Sequence, residues 1–224
     1  MCAMITLPAT RLRNMDARRQ RILDSASCML AGGGLAGLTL RALAEKAGIT
    51  VPTIYNLIGA KEQVVAALIE AALDGMDATL LAAPDLRGIA RAEAAVQASA
   101  DLYFADPGRY SAVFRAMQEL QGKPEAAALG PLFRRAGEVF CVAVREALED
   151  GDLHGRLLPV PLGHHILHAQ VETFRLWGIG ALPEEAARAR ALYALYVSLL
   201  ADATKPTRRL LLERMRASET VLVT

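Results

Sequence analysis

The chain has 224 residues, 53% hydrophobic and 22% charged, with 5% aromatics and a formal net charge of +1. That length suits one large helical domain, or a small domain joined to a medium one, and abundant Ala and Leu with few aromatics favour helix over sheet. Cys2, Cys28 and Cys141 are an odd set without CxxC spacing, which argues against a disulfide framework or a zinc knuckle.

No uninterrupted apolar run approaches the ~20 residues that span a bilayer. The N-terminal MCAMITLPATRLR is apolar first and basic second, the reverse of a secretory signal. A cytoplasmic protein without a membrane partner is therefore expected. The small net charge hides an asymmetry: residues 1–65 carry eight Lys/Arg against four Asp/Glu, and the remainder 17 against 20. A basic N-terminal module on a mildly acidic body points to an anionic partner for the module alone.

In chain order, residues 1–15 read as a flexible basic arm. Asp16 is a candidate N-cap for a helix to about Ala31, with Ile22, Leu23, Ala26, Met29 and Leu30 on one face and Gly32, Gly33 and Gly34 as its stop. Thr39 can cap a second helix whose Leu40, Leu43, Ala44 and Ala47 form an inward stripe. Gly48 supplies the left-handed residue needed to reverse the chain sharply. Thr50 then caps a third helix, and Pro52 sits in its first turn, where the missing N–H breaks no bond. Ile54 and Ile58 are expected to face the core, and Lys61 opens a fourth helix to about Asp74. Two short helices joined through a glycine form a helix-turn-helix, in which the second braces the third so that its outer face can enter a major groove.

Beyond Pro84 the pattern predicts helices near 86–105, 108–120, 126–149, 162–178, 184–203 and 206–217, separated by Gly/Pro punctuation. No strand, repeat or low-complexity tract stands out. Along 184–203, Ala187, Ala191, Ala194 and Leu195 form a side that another helix can approach closely. The expected architecture is all-α: a helix-turn-helix domain over 16–70, a larger helical domain over 71–217 and a tail over 218–224.

The stretch LTLRALAEKAGITVPTIYNLIGAKEQVV, Leu38 to Val65, with the helix before it, resembles the tetracycline-repressor (TetR) family of bacterial transcriptional regulators. The resemblance rests on Thr39, Ala47-Gly48-Ile49, Thr53-Ile54-Tyr55 and Lys61, and covers about the first third of the chain. Leu57 stands where an aromatic or His is common, Ile58 where Phe is usual, and Ala60 where Ser or Asn commonly caps the fourth helix. The missing cap should cost about 1 kcal/mol. The resemblance implies a homodimer formed through the helices about 162–178 and 184–203, a small-molecule pocket in the second domain, double-stranded DNA as partner, a repressor's mode of action, no cofactor and no catalysis.

On this reading Lys61 contacts phosphate: a cation at a helix N-terminus opposes the helix dipole until an anion binds there. Thr39 and Thr50 are caps compatible with phosphate binding. The resemblance implies a phosphate contact for Tyr55 and a guanine edge for Arg41, whose fork matches O6 and N7. Val51, Pro52, Thr53 and Asn56 are candidate base readers, and the sequence does not choose among them. Arg11, Arg13, Arg18 and Arg19 are candidates to track the backbone or a minor groove. Tyr103, Tyr110, Phe114, Phe140, His168, Phe174 and Trp177 are candidate pocket residues, because such sites are mostly apolar with few polar anchors.

Two other function classes compete with this one. His164 and His168 share a helix face, as metal ligands would, but no HExxH motif or nearby Cys completes a set, so no metal site is predicted. A helical scaffold using its helix-turn-helix only for protein contacts predicts no salt-dependent DNA binding.

Overall fold

The computed structural model describes residues 9–223. They form ten α-helices and one 3-10 helix: α1 Ala9–Gly37, α2 Leu40–Ala47, α3 Val51–Leu57, α4 Lys61–Leu81, α5 Gly88–Ala105, α6 Pro107–Leu120, the 3-10 helix Pro124–Leu129, α7 Gly130–Glu149, α8 Pro159–Gly178, α9 Glu184–Leu200 and α10 Lys205–Leu222. No strand occurs among the described residues; Leu153 and Ala203 form one isolated antiparallel bridge.

Buried side chains fall into two groups. The first joins Ile22, Leu30, Leu38, Leu43, Ile54 and Val64 of α1–α4 and the loop before α2. The second fills the body from α5 to α10 around Val96, Phe140, Ile166, Phe174, Leu195 and Leu211. Helix α6 serves both. Its Ala112, Val113, Ala116 and Leu120 enter the first group, while Tyr110 and Phe114 enter the second. The boundary expected at 70/71 falls inside α4, which runs unbroken to Leu81.

The first helix departs from expectation at both ends. It begins by Ala9, so Asp16 is an exposed residue within it rather than its cap, and residues 9–15 of the expected arm are helical; residues 1–8 lie outside the described residues. Gly32 and Gly33 do not stop it. The backbone leaves helical geometry only at Gly34 (φ 60°, ψ −166°). Leu30 and Leu35 on either side are buried at 1% and 6% exposure, and this burial offsets the glycines' poor helix propensity of roughly 1 kcal/mol each. Just past the break, the Leu35 N–H donates to Glu119 Oε1 of α6 at 3.4 Å. A contact across 84 positions thus accompanies the end of the helix.

Elsewhere the shifts are smaller. Helix α4 continues past Asp74 to Leu81, and Asp74 and Asp77 both accept from Arg135 of α7, at 2.7 and 2.6 Å. Residues 124–129 form the 3-10 helix rather than part of α7. Helix α8 starts at Pro159, since prolines are tolerated in a first turn. Helix α9 ends at Leu200, and the buried Asp202 accepts from the N–H groups of Gly155 and Arg156 at 2.9 and 3.1 Å, pinning the loop before α8. Helix α10 extends to Leu222 with Ser218 buried, so the expected tail begins helical.

The small-residue side of α9 is already occupied within the protomer. Ala187, Ala191 and Leu195 are fully buried, and the Ala191 carbonyl accepts from Gln170 of α8. Close packing recurs between α7 and α8, where a Cβ on Gly163 would lie 2.6 Å from the Cys141 nitrogen.

Candidate nucleic-acid interface

Helix α2 starts at Thr39, whose Oγ1 accepts the Ala42 N–H at 3.2 Å. It ends at Gly48, which adopts φ 64° and ψ 40°. There the Gly48 N–H donates to Glu45 O at 3.2 Å and the Ile49 N–H to Ala44 O at 3.0 Å, so the last carbonyls of α2 are satisfied while the chain turns. Ile49 and Thr50 lie between Gly48 and the start of α3. Its only fully buried side chain is Ile54, at 0% exposure, and Val51, Leu57 and Ile58 are half-buried around it. Ile58, expected in the core, sits at the helix end with φ −134° and is only partly covered.

The opposite face of α3 is open. Pro52, Tyr55 and Asn56 are exposed, Tyr55 at 55%, and Thr53 is half-buried beside them. A tyrosine held that far out on a short, braced helix covers none of the core. Thr50 holds the N-cap position, but its side chain does not cap: its Oγ1 lies 2.9 Å from Thr53 Oγ1. The two hydroxyls are linked, and the first turn closes through Thr53 N–H to Thr50 O at 3.0 Å. Thr39 and Arg41 are exposed at the start of α2, and Lys61 is half-buried at the start of α4.

Ala60 cannot cap α4 with a side chain. Gln63 supplies the reciprocal bond of a capping box, accepting the Ala60 N–H at 2.9 Å through Oε1. Of the N-terminal arginines, Arg19 pairs with Glu70 of α4 at 2.5 Å. Arg13 and Arg18 are exposed, and the Arg11 side chain lies outside the described residues. Lys46, passed over in the sequence, is exposed in the last turn of α2; a cation there also suits the helix dipole, so its composition alone carries no DNA signal.

Residues 22–68 match the family model described as "Bacterial regulatory proteins, tetR family". The matched span runs from the first buried residue of α1 through the whole helix-turn-helix into α4.

The chain carries a tetR-family DNA-binding module.

No curated protein sequence is similar enough to this chain to count as a match. Solved structures are similar in fold. A gamma-butyrolactone receptor (ArpA-like protein) superposes with a TM-score of 0.60 at 18% identity, over 92% of this chain and 98% of its own. SmeT, the repressor of the Stenotrophomonas maltophilia multidrug efflux pump SmeDEF, gives 0.56 at 22% identity, over 84% and 92%. The TetR-family regulator PfmR from Thermus thermophilus gives 0.54 at 20% identity, over 78% and 97%. The chain therefore has the all-α fold of TetR-family regulators, with the tetR-family module at its N-terminus and a helical body behind it.

A cavity of about 620 Å³ opens between α4, α5, α6, α7 and α8. Of the candidate pocket residues, Tyr103, Tyr110, Phe114, Phe140 and Phe174 line it. Tyr103 and Phe174 meet edge to face at 4.9 Å, and Tyr103 and Phe114 at 5.2 Å. Trp177 and His168 are corrected: neither lies in the wall. Trp177 is buried against Phe104, with ring centroids 5.2 Å apart, and His168 is exposed on α8. His164 packs at Gly137 of α7, where a Cβ would lie 2.5 Å from its ring. Sequence spacing carries no signal for what packs across the gap: Met76 and Leu80 of α4 and Gln170 of α8 complete the wall. Burial pushes the Tyr103 and Tyr110 phenols up, so both stay protonated. No helix among the described residues is long and apolar enough to cross a membrane.

Proposed function

We propose that this protein is a homodimeric DNA-binding transcriptional regulator of the cytoplasm, a repressor that binds a near-palindromic operator through α3 and is released by a small molecule held in the body. The observation that carries the reading is the outward face of α3, with Pro52, Tyr55 and Asn56 exposed on a helix anchored by Ile54. In this reading residues 16–70 form the DNA-binding unit and 71–217 the regulatory and dimerisation unit. Thr39, Thr50, Tyr55 and Lys61 contact phosphates and fix the register. Arg41, Val51, Pro52, Thr53 and Asn56 face base edges, where Asn pairs with adenine and Thr or Pro packs on a thymine methyl.

Two copies would present two recognition helices about 34–36 Å apart, matched to successive major grooves. Val160 of α8 and Val197 of α9, exposed at 50% and 46%, support pairing through those two helices. The cavity is of a size that encloses a small molecule. A ligand there would shift the dimer toward a shape with different helix separation, lowering DNA affinity by its differential affinity for the two shapes. No catalytic step is involved.

The test is operator affinity against salt for the native protein and single variants. Lys61→Ala and Tyr55→Ala are expected to weaken binding to all sequences, and Lys61→Ala to reduce the slope of log K against log salt by about 1. Asn56→Ala should instead change preference at one or two base pairs. Unchanged affinity and slope in both phosphate variants would remove the proposed anchoring.

A further inference from the structure

The cavity wall has a chemistry that narrows its ligand, on the reading of this cavity as the effector site. The charged residues around it are already engaged. Arg91 holds Glu146 at 2.8 Å, Arg135 holds Asp74 and Asp77, and Glu138 is 64% exposed with Arg145 at 3.9 Å. An ionised ligand group entering here would lose its hydration and find every opposite charge occupied. The interior between these residues is aromatic and aliphatic, built on Tyr103, Tyr110, Phe114 and Phe174 with Leu167 and Val171.

One polar group in the wall is unfinished. Gln170 is 5% exposed, and its Nε2 donates to the Ala191 carbonyl of α9 at 2.9 Å. That bond settles the orientation of the amide, because flipping it would set two acceptors against each other. Its Oε1 is then a buried acceptor with no protein partner. Buried acceptors are rarely left so, and the residue that carries this one stands in the cavity wall. Gln170 and Phe174 are four residues apart on α8, so the acceptor and the aromatic cluster share a helix face.

We propose that the cavity selects neutral, largely apolar ring compounds bearing a hydroxyl or N–H group, which docks as a donor on Gln170 Oε1 while the rings pack among Tyr103, Phe114 and Phe174. The neutral, protonated Tyr103 phenol offers a second polar handle in the same wall.

The test is calorimetric titration of the full-length protein with four probes sharing one hexylphenyl body: 4-hexylphenol, its methyl ether 4-hexylanisole, the anion 4-hexylbenzoate and the cation (4-hexylbenzyl)trimethylammonium. The phenol is expected to bind tightest, with the ether weaker by roughly tenfold because the acceptor stays unpaired, and both ions weaker than the ether. In Gln170→Leu, or Gln170→Met should the leucine variant not fold, the phenol should fall to the level of the ether while the ether's affinity is kept. Equal affinity of phenol and ether in the native protein, an ion as the tightest probe, no binding by any probe, or a phenol preference that survives loss of Gln170 would each overturn the inference. Operator affinity with and without the phenol is read separately. A phenol that binds as expected but leaves DNA affinity unchanged upholds the ligand class and overturns release by the cavity.

Discussion

At the residue scale, Gly48 sets the angle at which α3 leaves the body. Its φ of 64° lies in the left-handed region, yet a Cβ built there meets no atom within 4 Å. Gly48→Ala is therefore expected to cost backbone energy alone, about 1–2 kcal/mol. Chemical denaturation measures this, and an alanine variant as stable as the native chain would contradict the account of the turn. Gly48, the Thr39 cap and Pro52 in a first turn were legible in the sequence because each is decided by its own few neighbours. Thr50 was legible as a position but not as a bond, since its hydroxyl had Thr53 to choose instead of a backbone N–H. The Ala60 departure leaves the first-turn N–H groups of α4 without a side-chain cap, while Gln63 satisfies the Ala60 N–H itself.

At the element scale, long-range contacts override local signals. Gly32 and Gly33 read as a stop, but flanking leucines are buried in the first core and the break waits for Gly34, beside Glu119. Helices α5 and α7 are joined by a comparable contact. Burial pushes the Glu146 carboxyl up, but hydrogen bonds from Arg91 and from the Gly88 N–H, with nearby Arg87, outweigh it and hold the group below the usual carboxylate range. Because the folded value is depressed, its contribution to stability is present above the ordinary value of 4.5 and is lost as pH falls through the lower folded value. Unfolding free energy measured from neutral pH downward should fall less steeply over that acidic window in Glu146→Gln than in the native protein. An identical acid limb would show that this clamp carries no pH-dependent stability. Nothing in the spacing of Arg91 and Glu146, 55 positions apart, foretold the pair.

At the scale of the whole molecule, α6 joins both cores, as α4 does with Val64 and Leu68 in the first and Ala72 in the second, so a ligand that moves Tyr110 or Phe114 acts on the same helix that packs Ala112 and Ala116 against the DNA-binding module. Aromatic spacing identified five residues of the cavity wall but did not separate them from Trp177, because core and cavity differ only in what lies across the gap. The proposed dimer belongs to this scale as well. Val197→Arg places a charge on the outer face of α9 and is expected to weaken self-association by roughly tenfold or more in sedimentation equilibrium. A variant that associates as tightly as the native chain would move the interface elsewhere.

The central claim is that this fold reads DNA as a two-fold dimer, and selection of random duplexes on the purified protein at ~50 and ~200 mM salt tests it most directly. The account predicts a near-palindrome with half-sites about one helical turn apart and an affinity that falls steeply with salt. No enriched sequence, with binding no tighter than the ~10⁻⁴–10⁻⁶ M of non-specific association, would contradict it.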